Sequence, residues 1–360
     1  MRRAPAAQVW QLPDDPRGGP EVAAAALAAH AAEAQASGRD VPRLGICGGD
    51  GTSSWVLGAV ADAWPAGVPL PAVAVLPQGT GNDLSRCTGW ASCAATARAL
   101  KDGAPAELSG LARAVSEARA KPMDWWGADA RCDSRNDEAS VSLASSSSSS
   151  SSDAALEECS ERSVRFTNYF SVGFDAGVAL GFDAARKAAP ALFASRLGNK
   201  AAYGLIGAAD SARGACATLD AQLSVTADDA PVPLPRGAKG VVLLNISSFM
   251  GGARPWPEAG LPGAQAGPPA ADDGALEVVA HFGALHLAAM NLGLAPAVPL
   301  AVARRVTLRV AAASVPMQAD GEAWAQRGPA LVTVGRAGAV PVLHRDAKEA
   351  RFAADSAAEP

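Results

Sequence analysis

Arg43-Leu44-Gly45-Ile46-Cys47-Gly48-Gly49-Asp50-Gly51-Thr52 and, further on, Pro71-Ala72-Val73-Ala74-Val75-Leu76-Pro77-Gln78-Gly79-Thr80-Gly81-Asn82-Asp83 decide the fold. Each is a short apolar run that ends abruptly in a glycine-rich turn. After the first turn, Thr52 to Trp64 reads as a helix stopped by Pro65, and after the second a helix starts near Asp83 and resumes through Ala91 to Leu100. Strand, loop, helix, repeated, is the pattern of a parallel sheet with crossover helices. Upstream, Glu21 to Ala36 is an alanine-rich helix behind the Gly18-Gly19-Pro20 breaker.

Both turns suit phosphate chemistry. Gly48-Gly49-Asp50-Gly51-Thr52 lets backbone approach a phosphate chain closely, and the following helix adds its positive N-terminal end. Asp50 suits a magnesium ion held through water. The plain alternative is a tight turn with Asp50 as a helix cap. Gly79-Thr80-Gly81-Asn82-Asp83 repeats the design after the next strand. Neither turn carries the P-loop lysine or fits G-x-G-x-x-G, so P-loop and dinucleotide-binding assignments fail. Two such loops at the carboxyl ends of parallel strands converge on one crevice.

Around this stretch the chain falls into parts. With 360 residues, 49% hydrophobic and 19% charged, it is globular and long enough for two domains. The net charge of −5 is scattered, which excludes the basic stripe of a nucleic-acid binder. Six cysteines without a C-x-x-C pair argue against structural zinc and for reduced thiols. Phe282 to Ala303 lacks charge, but Pro296, Pro299, His286 and Asn291 argue for a buried helix and loop rather than a membrane span. Ala128 to Arg162, with its serine run Ser145 to Ser152, reads as a disordered linker. Beyond it, candidate strands 168–172, 221–226, 241–246, 276–281, 306–310 and 331–334 and a helix 197–212 predict a mainly antiparallel domain. Ala259 to Pro269 reads as a mobile loop. The expected fold is α/β: an N-terminal parallel-sheet nucleotide-binding domain (1–127), the linker (128–162), a C-terminal mainly antiparallel β domain (163–345) and a tail (346–360), with the active site in the cleft between the two domains.

The two glycine loops, with Leu84-Ser85-Arg86 after the second, resemble the catalytic domain of eukaryotic diacylglycerol kinases. The second half is similar to that family's accessory domain at Asn168–Ala176, Asn199-Lys200, Tyr203, Leu244–Ile246, Gly251–Trp256, Asp272–Val278 and Gln318–Glu322. The resemblance implies MgATP-dependent phosphorylation of 1,2-diacylglycerol to phosphatidic acid, by a cytoplasmic enzyme that meets its lipid at a membrane surface without a transmembrane span. It implies that Gly48, Gly49, Asp50, Gly51, Thr52, Gly79, Thr80, Gly81, Asn82 and Asp83 line the nucleotide. Asp50, Asp83 and Asp124 would organise catalytic magnesium. Asp320 and Glu322 form an acidic pair, with Glu322 the base toward the lipid hydroxyl; a hairpin turn is the plain alternative there. Asp272 and Asp273 resemble a structural metal-binding turn, against an ordinary turn. Trp125, Trp126, Trp256 and Trp324 could seat the protein on a bilayer, although core positions are the commoner use. The family's opening strand and Asn-Pro-x-Ser-Gly-Gly loop have no counterpart here, so a silent or truncated relative, or a kinase for sphingosine or ceramide, stands as the alternative.

Overall fold

The computed structural model describes residues 18–93, 105–133, 159–193, 196–258, 260–261 and 269–345. The serine run, most of the Ala259–Pro269 loop and the 346–360 tail lie outside them. The chain divides into two compact units, the first Met1–Trp125 with Ser248–Gly252 and Gly338–Pro360, the second Trp126–Ser247 with Ala253–Ala337.

The first unit is built on β1 (Leu44–Gly48) and β2 (Val73–Pro77), paired in parallel from Leu44↔Val73 to Gly48↔Pro77. Every residue of β2 is buried, as a strand covered on both faces demands. Val342, near the end of the C-terminal strand Ala330–His344, pairs in parallel with Val73. The crossover between β1 and β2 is α2 (Asp50–Ala63), against which α1 (Pro20–Ala36) packs. Its contact face is Ala24, Ala28, Ala31 and Ala34, all buried; with only methyl groups on that stripe, close approach replaces large side chains. Behind β2, Trp90 is fully buried among Ala74, Leu76, Leu111 and Leu343, and its indole N–H donates to the Leu343 carbonyl at 2.6 Å. The helix expected to run from Ala91 to Leu100 starts as a 3-10 turn, Trp90–Cys93; residues 94–100 lie outside the description.

The second unit is antiparallel, as expected. One sheet has six strands in the order β10 (Val298–Ala303), β9 (Leu276–His281), β8 (Gly240–Leu244), β5 (Tyr169–Gly173), β12 (Ser314–Ala319), β13 (Glu322–Arg327). A second set pairs β6 (Leu223–Ala227) with β7 (Ala230–Val232) and β11 (Arg305–Val310), and β11 with the first half of β14 (Ala330–His344). Their inward residues form one core, including Trp126, Phe166, Phe170, Leu243, Val278, Leu308 and Val334. Helices Phe174–Ala188 and Arg196–Ala212 pack on each other, with Phe182 stacked on Tyr203 at 4.1 Å.

Three expectations change. The linker does not begin at Ala128: β3 runs Arg119–Cys132, pairs with β4 (Arg162–Phe166), and buries Trp126, Ala128 and Ala130 on alternate positions. Between them, Asp129 and Arg131 sit exposed on the outward face. Cys132 and Cys159 are not reduced thiols but a disulfide, with Cα atoms 5.7 Å apart. Phe282–Ala303 is not a buried helix and loop: an eight-residue helix, Ala284–Asn291, is followed by β10, and much of the stretch is exposed. The four tryptophans, by contrast, take the commoner of the two uses weighed for them: all are core, each 9% exposed or less.

Candidate active site

In the first unit the two glycine loops meet. A side chain on Gly79 would lie 2.5 Å from the Gly49 Cα, so the backbones touch with no room for a Cβ. The second loop is pinned by Asn82, which takes the left-handed conformation (φ 57°) that asparagine tolerates. Its Oδ1 accepts the Gly79 N–H, and its Nδ2 donates to the Gly79 carbonyl, both at 2.7 Å.

Asp50, the first residue of α2, turns away from its own helix. Its carboxylate accepts the N–H groups of Asp83 (3.1 Å) and Leu84 (3.2 Å), capping α3 (Asp83–Cys87). The capping role weighed from sequence is therefore real but falls on the neighbouring loop, which it braces. Gly81 sits beside both carboxylates: a Cβ there would be 3.0 Å from Asp50 Oδ2 and 3.3 Å from Asp83 Oδ2.

Asp83 is fully buried. It accepts the Ser248 hydroxyl and the Gly251 N–H, the latter at 3.0 Å to each oxygen. Thus a five-residue segment far along the sequence belongs to this unit and closes over the loop. Burial, reinforced by the Asp50 charge, lifts the Asp83 carboxyl to about 6, against the pull of Ser248, the Gly251 N–H and Arg86. Arg86 is itself tied to the Gly81 carbonyl at 3.1 Å.

In the second unit, Asp320 and Glu322 part company. Asp320 is buried, at φ 49° in the turn between β12 and β13. Its carboxylate accepts the N–H groups of Thr167 (2.8 Å), Asn168 (2.8 Å) and Tyr169 (3.1 Å) and the Thr167 hydroxyl (3.1 Å). A carboxylate has about four acceptor positions, and these four bonds use them. Asp320 therefore anchors the turn before β5; it does not supply a free base. Glu322, two residues on, is exposed at the start of β13.

The matched families fit this arrangement. Residues 19–110 match the diacylglycerol kinase catalytic domain, and residues 165–323 match the diacylglycerol kinase accessory domain. The chain belongs to the diacylglycerol kinase family. It is 32% identical over 310 residues to human diacylglycerol kinase theta and 31% identical over 313 residues to Arabidopsis thaliana diacylglycerol kinase 1. Those alignments take 85% and 86% of this chain but only 30% and 39% of the relatives, so the chain spans about a third of their length. A crystal structure from Bacillus anthracis aligns over 90% of this chain and 84% of that one, with TM-score 0.47 and 16% identity.

Within this family member the sequence-predicted residues are placed unevenly. Gly48, Gly49, Asp50, Gly51, Thr52 and Gly79–Asp83 are gathered in one place. Asp124 is buried on β3; no group of three or more His, Cys, Asp or Glu side chains comes together as a metal cluster among the described residues, so the three-carboxylate network is not assembled by the protein alone. Asp272 and Asp273 are exposed, and Asp273 Oδ1 accepts the Ala275 N–H at 2.9 Å, as in an ordinary Asx turn.

Three sets of residues had no role assigned from the sequence. Ser248 and Gly251 hold Asp83, and nothing local in sequence links them. Glu277, 5% exposed in β9, has an Oε2 without a hydrogen-bond partner, and burial together with the Asp273 charge pushes its carboxyl up to about 8; a glutamate in an otherwise apolar strand was the available signal. Ser171, Asp175, His281 and Gln318 form a fully enclosed network. Gly283 donates its N–H to His281 Nδ1 (3.2 Å), so the ring proton is on Nε2, which donates to Asp175 (2.9 Å). Gln318 and Ser171 also donate to Asp175. Burial opposes charge on Asp175, but these donors outweigh it and hold the carboxyl below its usual range. Ser171 faces Asp175 rather than the imidazole and is closed to solvent, so this is a structural network and not a nucleophile with its base.

Proposed function

We propose that the chain transfers the γ-phosphate of ATP to the free hydroxyl of 1,2-diacylglycerol, producing phosphatidic acid. The observation that carries the reading is the backbone contact of the two glycine loops, braced by Asp50 and clamped through Asp83, in a chain matched by both domains of this kinase family. Phosphoryl transfer asks for positioning and charge neutralisation more than covalent chemistry. Glycine-rich loops, the first at the start of α2 and the second before α3, supply backbone donors for phosphate oxygens. Gly48, Gly49, Gly51, Thr52, Gly79, Thr80, Gly81 and Asn82 line the nucleotide in this reading. We assign nucleotide handling to the first unit, including its Ser248–Gly252 segment, and the accessory role to the second.

Magnesium fits the residues at Asp50 and Asp83. Two adjacent carboxylates, one with its proton affinity raised by the other, form a hard-oxygen site that a cation relieves. Asp50 and Asp83 would hold the ion, with Asp124 the third participant proposed from the family. When bound, it neutralises phosphate charge. Exposed Glu322 takes the proton of the lipid hydroxyl as its oxygen bonds to phosphorus; the bond from phosphorus to the bridging oxygen breaks, and ADP leaves. Asp320 contributes by fixing the hairpin from which Glu322 projects. The enzyme works at a membrane surface, where its lipid acceptor lies; no helix among the described residues is long and apolar enough to cross a bilayer.

The test is an acceptor panel in mixed micelles with MgATP: diacylglycerol, sphingosine, ceramide and NAD. Phosphatidic acid as the dominant product is expected. Preferential phosphorylation of another acceptor would move the chain to a different lipid or nucleotide substrate, and a folded chain inert on all four would contradict the kinase reading.

A further inference from the structure

The second unit exposes large apolar side chains along one uncharged segment. From Phe282 to Ala303 there is no Asp, Glu, Lys or Arg. Within it Leu285 is 87% exposed, Leu292 73% and Leu294 75%, with Phe282 and Val302 more than a third exposed. Single exposed leucines are ordinary; several on one short segment mark an interaction surface.

The segment is not loose. Leu287 and Met290 bury the inner face of helix Ala284–Asn291, leaving Leu285 and Leu292 outside. The chain then folds back: Gly293 donates its N–H to the Met290 carbonyl at 3.0 Å, and Leu294 to that of Ala289 at 2.8 Å. His286 is a crosslink. Its Nδ1 accepts the Phe282 N–H at 3.2 Å, so its protonated Nε2 donates to the Pro296 carbonyl at 2.9 Å, and its ring stacks on Phe282. Val302 lies on β10, an edge strand of the six-stranded sheet.

Cations rim the segment. The Lys239 side chain packs against Gly283, with Nζ 3.9 Å from where its Cβ would lie. Exposed Arg254 adjoins Pro255, whose carbonyl accepts the Ala297 N–H at 2.8 Å. Arg304 and Arg305 follow directly and are exposed. Acids stand there as well: Glu277 pairs with Val302 across β9 and β10 but is buried, Glu258 and Asp229 are exposed, and the Asp228 carboxylate is occupied by the N–H groups of Arg304 and Arg305. An uncharged apolar tip with a basic margin is complementary to a bilayer bearing anionic headgroups.

We infer that Phe282–Ala303 is a docking face for an anionic lipid bilayer, with Leu285, Leu292 and Leu294 entering the acyl boundary. The inference rests on the kinase reading in one respect: that reading puts the acceptor in a membrane. The four tryptophans do not compete for this role, since all are buried.

The experiment compares the full chain with the triple variant Leu285→Ser, Leu292→Ser, Leu294→Ser. Both are sedimented with phosphatidylcholine–phosphatidylserine vesicles and assayed on a short-chain, water-soluble diacylglycerol. The variant should keep its melting temperature and its soluble-substrate rate, while vesicle partitioning falls at least ~10-fold. Equal partitioning of the two chains, or no partitioning by the unaltered one, overturns the inference. So does a variant that keeps its vesicle binding but changes oligomeric state, since the face would then cover a second copy. If neither chain phosphorylates the soluble substrate while partitioning still falls, the kinase reading fails and the docking face stands.

Discussion

Asp83 illustrates how a single side chain can serve both fold and chemistry. Its carboxylate receives Ser248 and Gly251 from a remote segment and stands beside Asp50, whose charge helps raise its proton affinity. Because the folded value of about 6 lies above the ordinary 3.8, the folded state binds the extra proton between those values. Ionising Asp83 therefore costs stability as pH rises through that window, and the site accepts this cost to keep an anion there. If the anion is the working form, turnover should rise with pH through about 6; an acid limb unchanged in Asp83→Asn would assign it to another group. Asp83→Ala should do more than lower the rate, since it strands buried donors worth about 1–3 kcal/mol each; a melting curve tests this. Asp320 and Glu322 make the opposite pair of predictions. Asp320→Ala should cost about 2–4 kcal/mol of stability by releasing three N–H groups and a hydroxyl. Glu322→Gln, at an exposed position, should stay within about 0.5 kcal/mol and lower kcat far more than ATP affinity. Reversed outcomes would exchange the two roles.

At the scale of elements, the decisive contact is loop on loop. Gly79→Ala places a methyl group against the Gly49 backbone, so the two loops must separate. Nucleotide affinity should fall at least ~10-fold while the melting temperature changes little, because strands β1 and β2 keep their pairing; calorimetric titration with an ATP analogue checks both points. Much of this level was legible beforehand. The first two strands and α2 fell within a few residues of their places because glycine clusters and Pro65 punctuate them, and β9 coincided with 276–281. What was missed has physical reasons. In β3, Ala128 and Ala130 face the core, and alanine carries too little apolar signal to outweigh the charges between them. The turn between β12 and β13 was weighed, but its flanking strands contain Gln318 and Gln326, polar residues whose burial depends on partners elsewhere in the fold. The role of Asp50 as a brace was foreseen in kind but not in place, since the capped helix begins 33 residues later.

For the whole molecule, the sequence carried the family and the two-part α/β plan. It did not carry the joins. Segment Ser248–Gly252 is embedded in second-unit sequence yet belongs to the first unit, because its anchor is a carboxylate 165 residues earlier. The Cys132–Cys159 bridge is a second join, closing a loop across a separation of 27 residues. Chain-entropy arguments give such a crosslink about 3.5 kcal/mol, so reduction should lower the melting temperature of the intact chain and leave Cys132→Ser insensitive to reductant. Glu277 offers a further handle. With its carboxyl at about 8, stability should decline as pH rises from near 4.5 through 8, and Glu277→Gln should flatten that slope in a pH series of melting curves.

The most direct test of the central claim is transfer of label from γ-labelled ATP to diacylglycerol by the intact 360-residue chain, run beside Asp83→Asn and Glu322→Gln. The account predicts labelled phosphatidic acid from the unaltered chain, loss of at least ~100-fold in both variants, and ATP binding retained by Glu322→Gln. Undiminished labelling by either variant, or none by the unaltered folded chain, would contradict it.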